Sequence, residues 1–258
     1  MFTAIEGLNG WRHLSLQSVD STNLRAFELA NQGDFGRVWV TSDIQTAGRA
    51  RRGRAWVSES GNLYASLLLL DPAPGEQLAT LPLVVSLALH MAVLKACPQL
   101  EGRLKIKWPN DLLLDGKKIS GILLEAQKDT SDRLAVVIGC GVNCSHAPDT
   151  TLYPATTLVE AGCSISPIEL FRELAYALAQ QLRIWSAGQG FSIIRRDWLA
   201  RCQGLGKPVI ARLPDTEKEG RFVDLDEAGL LLLEDDRGLI HKISAADIFF
   251  GNSVAKGA

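Results

Sequence analysis

The sequence has no excess of charge of either sign. It carries 27 Lys and Arg against 29 Asp and Glu, a formal net charge of −2. No global basic field draws in nucleic acid, and no acidic excess holds the chain unfolded. It is poor in cysteine: the five present are an odd number, and no secretory context accompanies them. The start, MFTAIEGLNGWRHL, lacks the basic, apolar and small-residue order of a signal peptide. Nor is there an apolar stretch that reads as the ~20 residues of a membrane-spanning helix. The longest candidate, residues 81–94, contains His90 and reads as a buried helix. These absences lead to the expectation of a cytoplasmic, soluble protein with reduced thiols, and of no membrane partner.

What is present is apolar mass. Hydrophobic residues make up 47% of 258, enough for one large core or a large and a small one. Ser21, Thr22 and Asn23 stand as N-cap residues before a helical stripe of Leu24, Phe27 and Ala30 that stops at Gly33. Strands are expected at 38–40, 62–70, 104–108 and 134–142, and helices at 78–96, 167–185 and 191–202. Asp115-Gly116 between 111–114 and 117–125 is a two-residue hairpin signal. After Gly204 come four short strands, 208–213, 220–225, 230–234 and 239–244, the pattern of a small barrel. The expected division is residues 1–204 and 205–258, with 252–258 frayed. The fold class is α+β, with a mixed, mostly antiparallel sheet flanked by helices.

Four places carry chemistry. The segment QTAGRARRGRAW (45–56) holds Arg49, Arg51, Arg52 and Arg54 within six positions. Such a cluster needs solvent or an anion, and the guanidinium fork fits phosphate or carboxylate. Gly48 and Gly53 have Walker A spacing, but Arg54-Ala55 stands where Lys-Ser/Thr is required, so the P-loop reading fails. A solvated basic loop that touches RNA, with Trp56 as a stacking platform, is the plain alternative. The second place is KWPND (107–111). Pro109 holds Trp108 extended and so orients Asn110 and Asp111 at a strand end.

The third place is the strand KKISGILLE (117–125). Strict alternation puts Lys118 on one face with Ser120, Ile122 and Leu124. A lysine inside a hydrophobic hairpin calls for an anion, or for snorkelling at the strand end. The fourth is GCGVN (139–143), where Gly139, Gly141 and Asn143 share a face and form a flat floor for a ligand. Cys140 and Cys144 lie about 13 Å apart on an extended strand, too far to share an ion, and read as core cysteines.

Ser21-Thr22-Asn23, the 48–54 loop, KWPND, Lys118 and GCGVN together resemble the biotin protein ligase family in order and spacing over residues 16–250. The family loop reads Gly-Arg-Gly-Arg-Arg-Gly-Arg, and here Ala50 replaces the middle glycine; a small side chain without positive φ is expected there. The resemblance implies a class II synthetase-like, biotin–lipoate ligase fold with a C-terminal SH3-like β-barrel. It implies activation of biotin by ATP to biotinyl-5′-AMP, with Mg2+ accompanying ATP. Transfer to a lysine of a biotin carboxyl carrier protein follows, such as an acetyl-CoA carboxylase subunit.

By likeness, Ser21, Thr22, Asn23 and Gln45 bind the ureido ring, with Arg49, Ala50, Arg51, Lys118 and Gly121 along the rest of biotin. Arg49, Arg51, Arg54, Trp56, Lys107, Asn110 and Asn143 meet the nucleotide. Lys118, Arg51 and Asp111 are the expected catalytic groups, Asp111 taking the proton of the incoming amine. No residue is assigned to a metal. About fifteen residues precede the resemblance, so a ligase without the repressor's DNA-binding half is expected, as monomer or homodimer. Lipoate protein ligase and an RNA-binding module are the competing functions.

Overall fold

The computed structural model describes residues 1–148, 154–213 and 215–250. The tail residues 252–258 lie outside the described residues. Thirteen strands and five α-helices follow in chain order. They are β1 (Phe2–Ala4), β2 (Arg12–Val19), α1 (Thr22–Asn31), β3 (Val38–Gln45), β4 (Leu63–Leu70), α2 (Gly75–Leu78), α3 (Leu81–Ala96), β5 (Leu104–Lys107), β6 (Asp111–Leu114), β7 (Lys117–Lys128), β8 (Leu134–Val142), α4 (Pro167–Trp185), α5 (Phe191–Leu199), β9 (Pro208–Arg212), β10 (Glu217–Leu225), β11 (Leu231–Glu234), β12 (Ile240–Ile243) and β13 (Asp247–Phe250).

Eight strands form one sheet in the order β1-β2-β3-β4-β8-β7-β6-β5. Every pairing is antiparallel except β2 with β3. Alternation along β4 shows how the sheet divides its faces. Leu63, Ala65, Leu67 and Leu69 pack with α3 and α4 in the main core. Leu68 turns the other way, to Ala26, Phe27, Leu29 and Ala30 of α1. Tyr64 and Ser66 share that second face, as do Gly139 and Gly141 beyond Ala135 and Val137 of β8. The side of the sheet that α1 covers only in part is therefore where a cavity can open.

Local chemistry explains the best-defined elements. Pro167 opens α4 behind a capping box in which Ser166 and Glu169 serve each other's backbone N–H. Asp115 and Gly116 both have positive φ, 49° and 79°, as a type I′ hairpin turn requires. Residues Gly75–Ala96 are long and apolar enough by composition to cross a bilayer, contrary to the expectation from unbroken apolar runs. They are nonetheless core: 67% of that window is buried, with Trp185 and Trp198 donating to Thr80 and Ser86.

The Trp108–Pro109 peptide bond is cis. Two expectations are corrected. Strand β3 runs on to Gln45 rather than ending at Val40. The thiols are not all reduced: Cys97, just after α3, is bonded to Cys163, 66 residues away, because the segment before α4 folds back over that helix end. Cys140 and Cys144 are buried in the core, where desolvation pushes their thiols up to about 12 and about 11.

The second sheet is antiparallel, in the order β12-β11-β10-β9-β13. Its apolar side chains join the main core, and Trp108 donates from Nε1 to Gly229 O at 3.1 Å. Strands β1, β2 and β13 have no counterpart in the pattern read from sequence.

Candidate active site

A cavity of about 400 Å3 opens on the α1 side of the large sheet. Its floor is glycine. A Cβ on Gly121 or Gly141 would stand 2.9 or 2.6 Å from the Trp56 ring, and one on Gly139 would meet Asn23 Oδ1 at 2.4 Å. Trp56 itself therefore lies on the floor that the sequence suggested for a ligand. Its indole nitrogen is buried without a partner, and Lys118 Nζ stands 5.7 Å from the ring centroid.

One end of the cavity is neutral and built on regular elements. Ser21, Thr22 and Asn23 are 2%, 4% and 4% exposed. They occupy a helix start, yet Ser21 makes no side-chain cap hydrogen bond. Gln45 Oε1 accepts from Thr22 N at 2.8 Å and from Thr22 Oγ1 at 3.0 Å. Gln45 Nε2 donates to Ser58 Oγ at 2.9 Å, and Ser58 donates to Trp56 O. Ser66, fully buried on β4, lies 2.7 Å from Thr22 Oγ1 and 2.6 Å from Asn23 Oδ1.

The other end is cationic and built on the arginine loop. Loop 48–56 is closed on itself by Ala50 N to Arg54 O at 2.7 Å and Trp56 N to Gly48 O at 2.9 Å. Ala50 is extended, with φ −126° and ψ 176°, so the missing glycine costs no backbone strain. The left-handed positions are Arg52 (φ 58°) and Gly53 (φ 70°). Gly48 cannot be larger, since a Cβ there would meet Trp56 O at 2.4 Å. Each cation has a partner: Arg49 with Glu125 at 2.8 Å, Arg51 with Asn110 Oδ1 at 2.7 Å, Lys118 with Asp111 at 2.7 Å. Arg52 and Arg54 reach Asp247 of β13 at 2.7 and 3.9 Å. Burial lowers the Arg51 pKa from its usual value, opposed by Asp111 and Asp247.

Most of the residues singled out from sequence border this one cavity: Ser21, Thr22, Asn23, Gln45, Arg49, Ala50, Arg51, Arg54, Trp56, Asn110, Asp111, Lys118, Gly121 and Asn143. Lys107 does not line it. It is buried beneath Phe249 and Phe250 of β13, and desolvation brings its amine down to about 8. The facing of Lys118 also differs from strict alternation. Leu112 pairs with Ser120 but Leu113 with Lys118, so a bulge at Ile119 breaks the period and sets the ammonium above Gly121 instead of beside Ile122.

Sequence reasoning missed Ser66, Glu125 and Asp247. A lone serine within the apolar run of β4 was a legible sign of Ser66; single acids on strands 125 and 247 gave none. No group of three or more His, Cys, Asp or Glu among the described residues could hold a metal ion. The site's carboxylates are engaged by cations, so its residues do not form a cage for Mg2+.

A neutral hydrogen-bonding wall joined to a nest of cations makes a pocket suited to a ligand that is polar and uncharged at one end and anionic at the other. The biotin/lipoate A/B protein ligase family matches residues 15–143, and the biotin protein ligase C-terminal domain matches residues 204–251. A biotin–[acetyl-CoA-carboxylase] ligase of Paracoccus denitrificans is 41% identical over 92% of this chain and 99% of its own. The biotin protein ligase of Aquifex aeolicus, solved with biotin and ATP, superposes with a TM-score of 0.77 at 30% identity, covering 92% of this chain and 97% of that one. That of Leishmania major with biotinyl-5-AMP gives 0.64 at 28% identity, over 90% and 98%. The chain belongs to the biotin protein ligase family.

Proposed function

We propose that this chain activates biotin with ATP and transfers it to a lysine of a biotin carboxyl carrier protein of the acetyl-CoA carboxylase type, working in the cytoplasm as a monomer or homodimer. The observation that carries this reading is one cavity whose neutral wall (Thr22, Asn23, Gln45) continues into Arg49, Arg51 and Lys118. In the first step a biotin carboxylate oxygen attacks the α-phosphorus of ATP, and pyrophosphate leaves. Two anions have to meet, and fixed cations at their meeting point lower that barrier. Lys118 stands above Gly121 and pairs with Asp111 at 2.7 Å, in the cavity that the neutral wall, Asn110 and Asn143 also line. It is assigned to the carboxylate–phosphate junction, with Arg49 and Arg51 on the charges to either side. Asn110, Asn143, Arg54 and Trp56 are assigned to the nucleotide, and Lys107 to charge supplied from behind the cavity wall.

In the second step the carrier lysine's amine attacks the acyl carbon, the C–O bond to phosphate breaks, and AMP leaves. The amine's proton goes to Asp111. Asp111 and Lys118 are 2.7 Å apart without substrate, so a phosphate that takes Lys118 frees the Asp111 carboxylate for that proton. Closure of the arginine loop keeps water from the mixed anhydride. Mg2+ is assigned to the ATP phosphates and to no protein cage, and no step is drawn through it.

Intact-mass measurement of a carrier domain incubated with this protein, biotin and MgATP tests the reading. One biotinyl group on one lysine is expected, dependent on ATP; an unmodified carrier sinks it.

A further inference from the structure

Glu125 has no part in the chemistry above. Past the bulge in β7, alternate residues Gly121, Leu123 and Glu125 follow one another on the cavity side. A single carboxylate oxygen of Glu125 accepts from Asn23 Nδ2 at 2.8 Å and from Arg49 Nη2 at 2.8 Å. It is thus the only described side chain hydrogen-bonded to both the neutral and the cationic end.

A carboxylate accepts and does not donate, whereas an amide does both on opposite sides. Glu125 therefore holds the Asn23 amide in one sense, with Nδ2 toward itself and Oδ1 toward Ser66. Ser66 has one hydrogen and stands near two oxygens, Asn23 Oδ1 at 2.6 Å and Thr22 Oγ1 at 2.7 Å. Since Oδ1 can only accept, the Ser66 hydrogen goes to Asn23, and the 2.7 Å contact is made by the Thr22 hydrogen, shared between Ser66 Oγ and Gln45 Oε1. The Thr22 oxygen then keeps both its lone pairs for the cavity. Turn the amide over and the chain reverses: Nδ2 donates to Ser66, the Ser66 hydrogen swings to Thr22, and one of its two lone pairs is filled.

From this we infer that Glu125 is a positioning residue for substrate selection. It fixes the donor–acceptor sense of the Asn23–Ser66–Thr22 wall so that Thr22 receives an N–H of the ligand. A cyclic urea supplies such an N–H, and an analogue with oxygen in its place leaves two acceptors face to face. The inference rests on the reading that this wall holds the ureido ring of biotin.

The test compares kcat/KM for biotin with that for its cyclic carbamate, in which one ureido N–H is replaced by oxygen. Glu125→Leu is expected to shrink the wild-type preference for biotin about tenfold. Glu125→Gln, whose Oε1 can stand where the carboxylate oxygen stood, keeps it within about threefold. A role in packing alone would lower turnover with both substrates and leave the ratio untouched. Because the ratio does not depend on the fraction of folded enzyme, poor yield does not blur it; Glu125→Ala is read the same way should the leucine variant be insoluble. An unchanged ratio in these variants, while Asn23→Ala collapses it, overturns the role of Glu125 alone. An unchanged ratio in Asn23→Ala as well overturns the ureido reading and this inference with it.

Discussion

The two ends of the cavity are built by different rules. The neutral end stands on the start of α1, the end of β3 and the middle of β4, and its side chains are hydrogen-bonded to one another. The cationic end stands on a closed loop, and its charges are held by groups from three other places: Asn110 and Asp111 of the KWPND turn, Glu125 of β7 and Asp247 of β13. A hydrogen-bonded wall of neutral groups is set by geometry before any ligand arrives. A nest of cations balanced by carboxylates is set by charge, and an anionic substrate competes with those carboxylates for it. On the proposed function, selectivity is expected from the first end and rate from the second.

The sharpest way to break this contrast is Lys118→Ala. It removes the charge at the carboxylate–phosphate junction and is expected to slow biotin-dependent pyrophosphate release by about a thousandfold, with the KM for biotin far less affected. Equal losses in both would erase the distinction. Next in size is Asn23→Ala, expected to raise the KM for biotin about thirtyfold through lost hydrogen bonds in a buried site. Steady-state kinetics at saturating biotin should recover most of kcat; failure to recover would give the neutral wall a share in rate.

A smaller effect, set by pH, comes from Lys107 behind the cavity, which belongs to neither end. The Lys107 amine, at about 8 in the folded protein, lies below its unfolded value, so between the two the unfolded chain binds the extra proton. Stability should rise as pH climbs from about 8 toward 10.5, by on the order of 1–3 kcal/mol, measured by urea unfolding. Lys107→Met should flatten that rise, and a rise that persists would place its source elsewhere. The smallest effect is expected from Asp247→Ala, whose pairs with Arg52 and Arg54 are partly exposed and contribute less than about 1 kcal/mol. Trypsin should cut the loop a few-fold faster, with the KM for biotin unchanged; an unchanged cleavage rate would show that Asp247 does not hold the loop.

Much of this was legible because local chemistry and tertiary structure agree. Asp115-Gly116 made its turn, Pro167 opened its helix, and Gly139 and Gly141 did share a face. The arginine loop, Lys118 and Asn143 came to one cavity as their resemblance implied. What failed to show had a common cause, dependence on something distant. The polar residues of Ser21-Thr22-Asn23 look like caps because a helix starts there, but Thr22 and Asn23 are spent on Gln45, Ser66 and Glu125. The bulge at Ile119 is a matter of pairing with β6, which alternation along one strand cannot reveal. The Cys97–Cys163 bond and Asp247 depend on segments 66 and 195 residues from their partners.

That last separation has a bearing on how the protein is made. Synthesis runs from the N-terminus, and the large sheet has all its strands once Val142 has emerged. Arg52 must wait for Asp247, which is held in place only when β13 pairs with β9. The nascent chain thus holds its neutral wall well before Asp247 is made to anchor the cation loop. A ribosome-bound chain is expected to have a formed recognition surface before its cation loop is latched to β13.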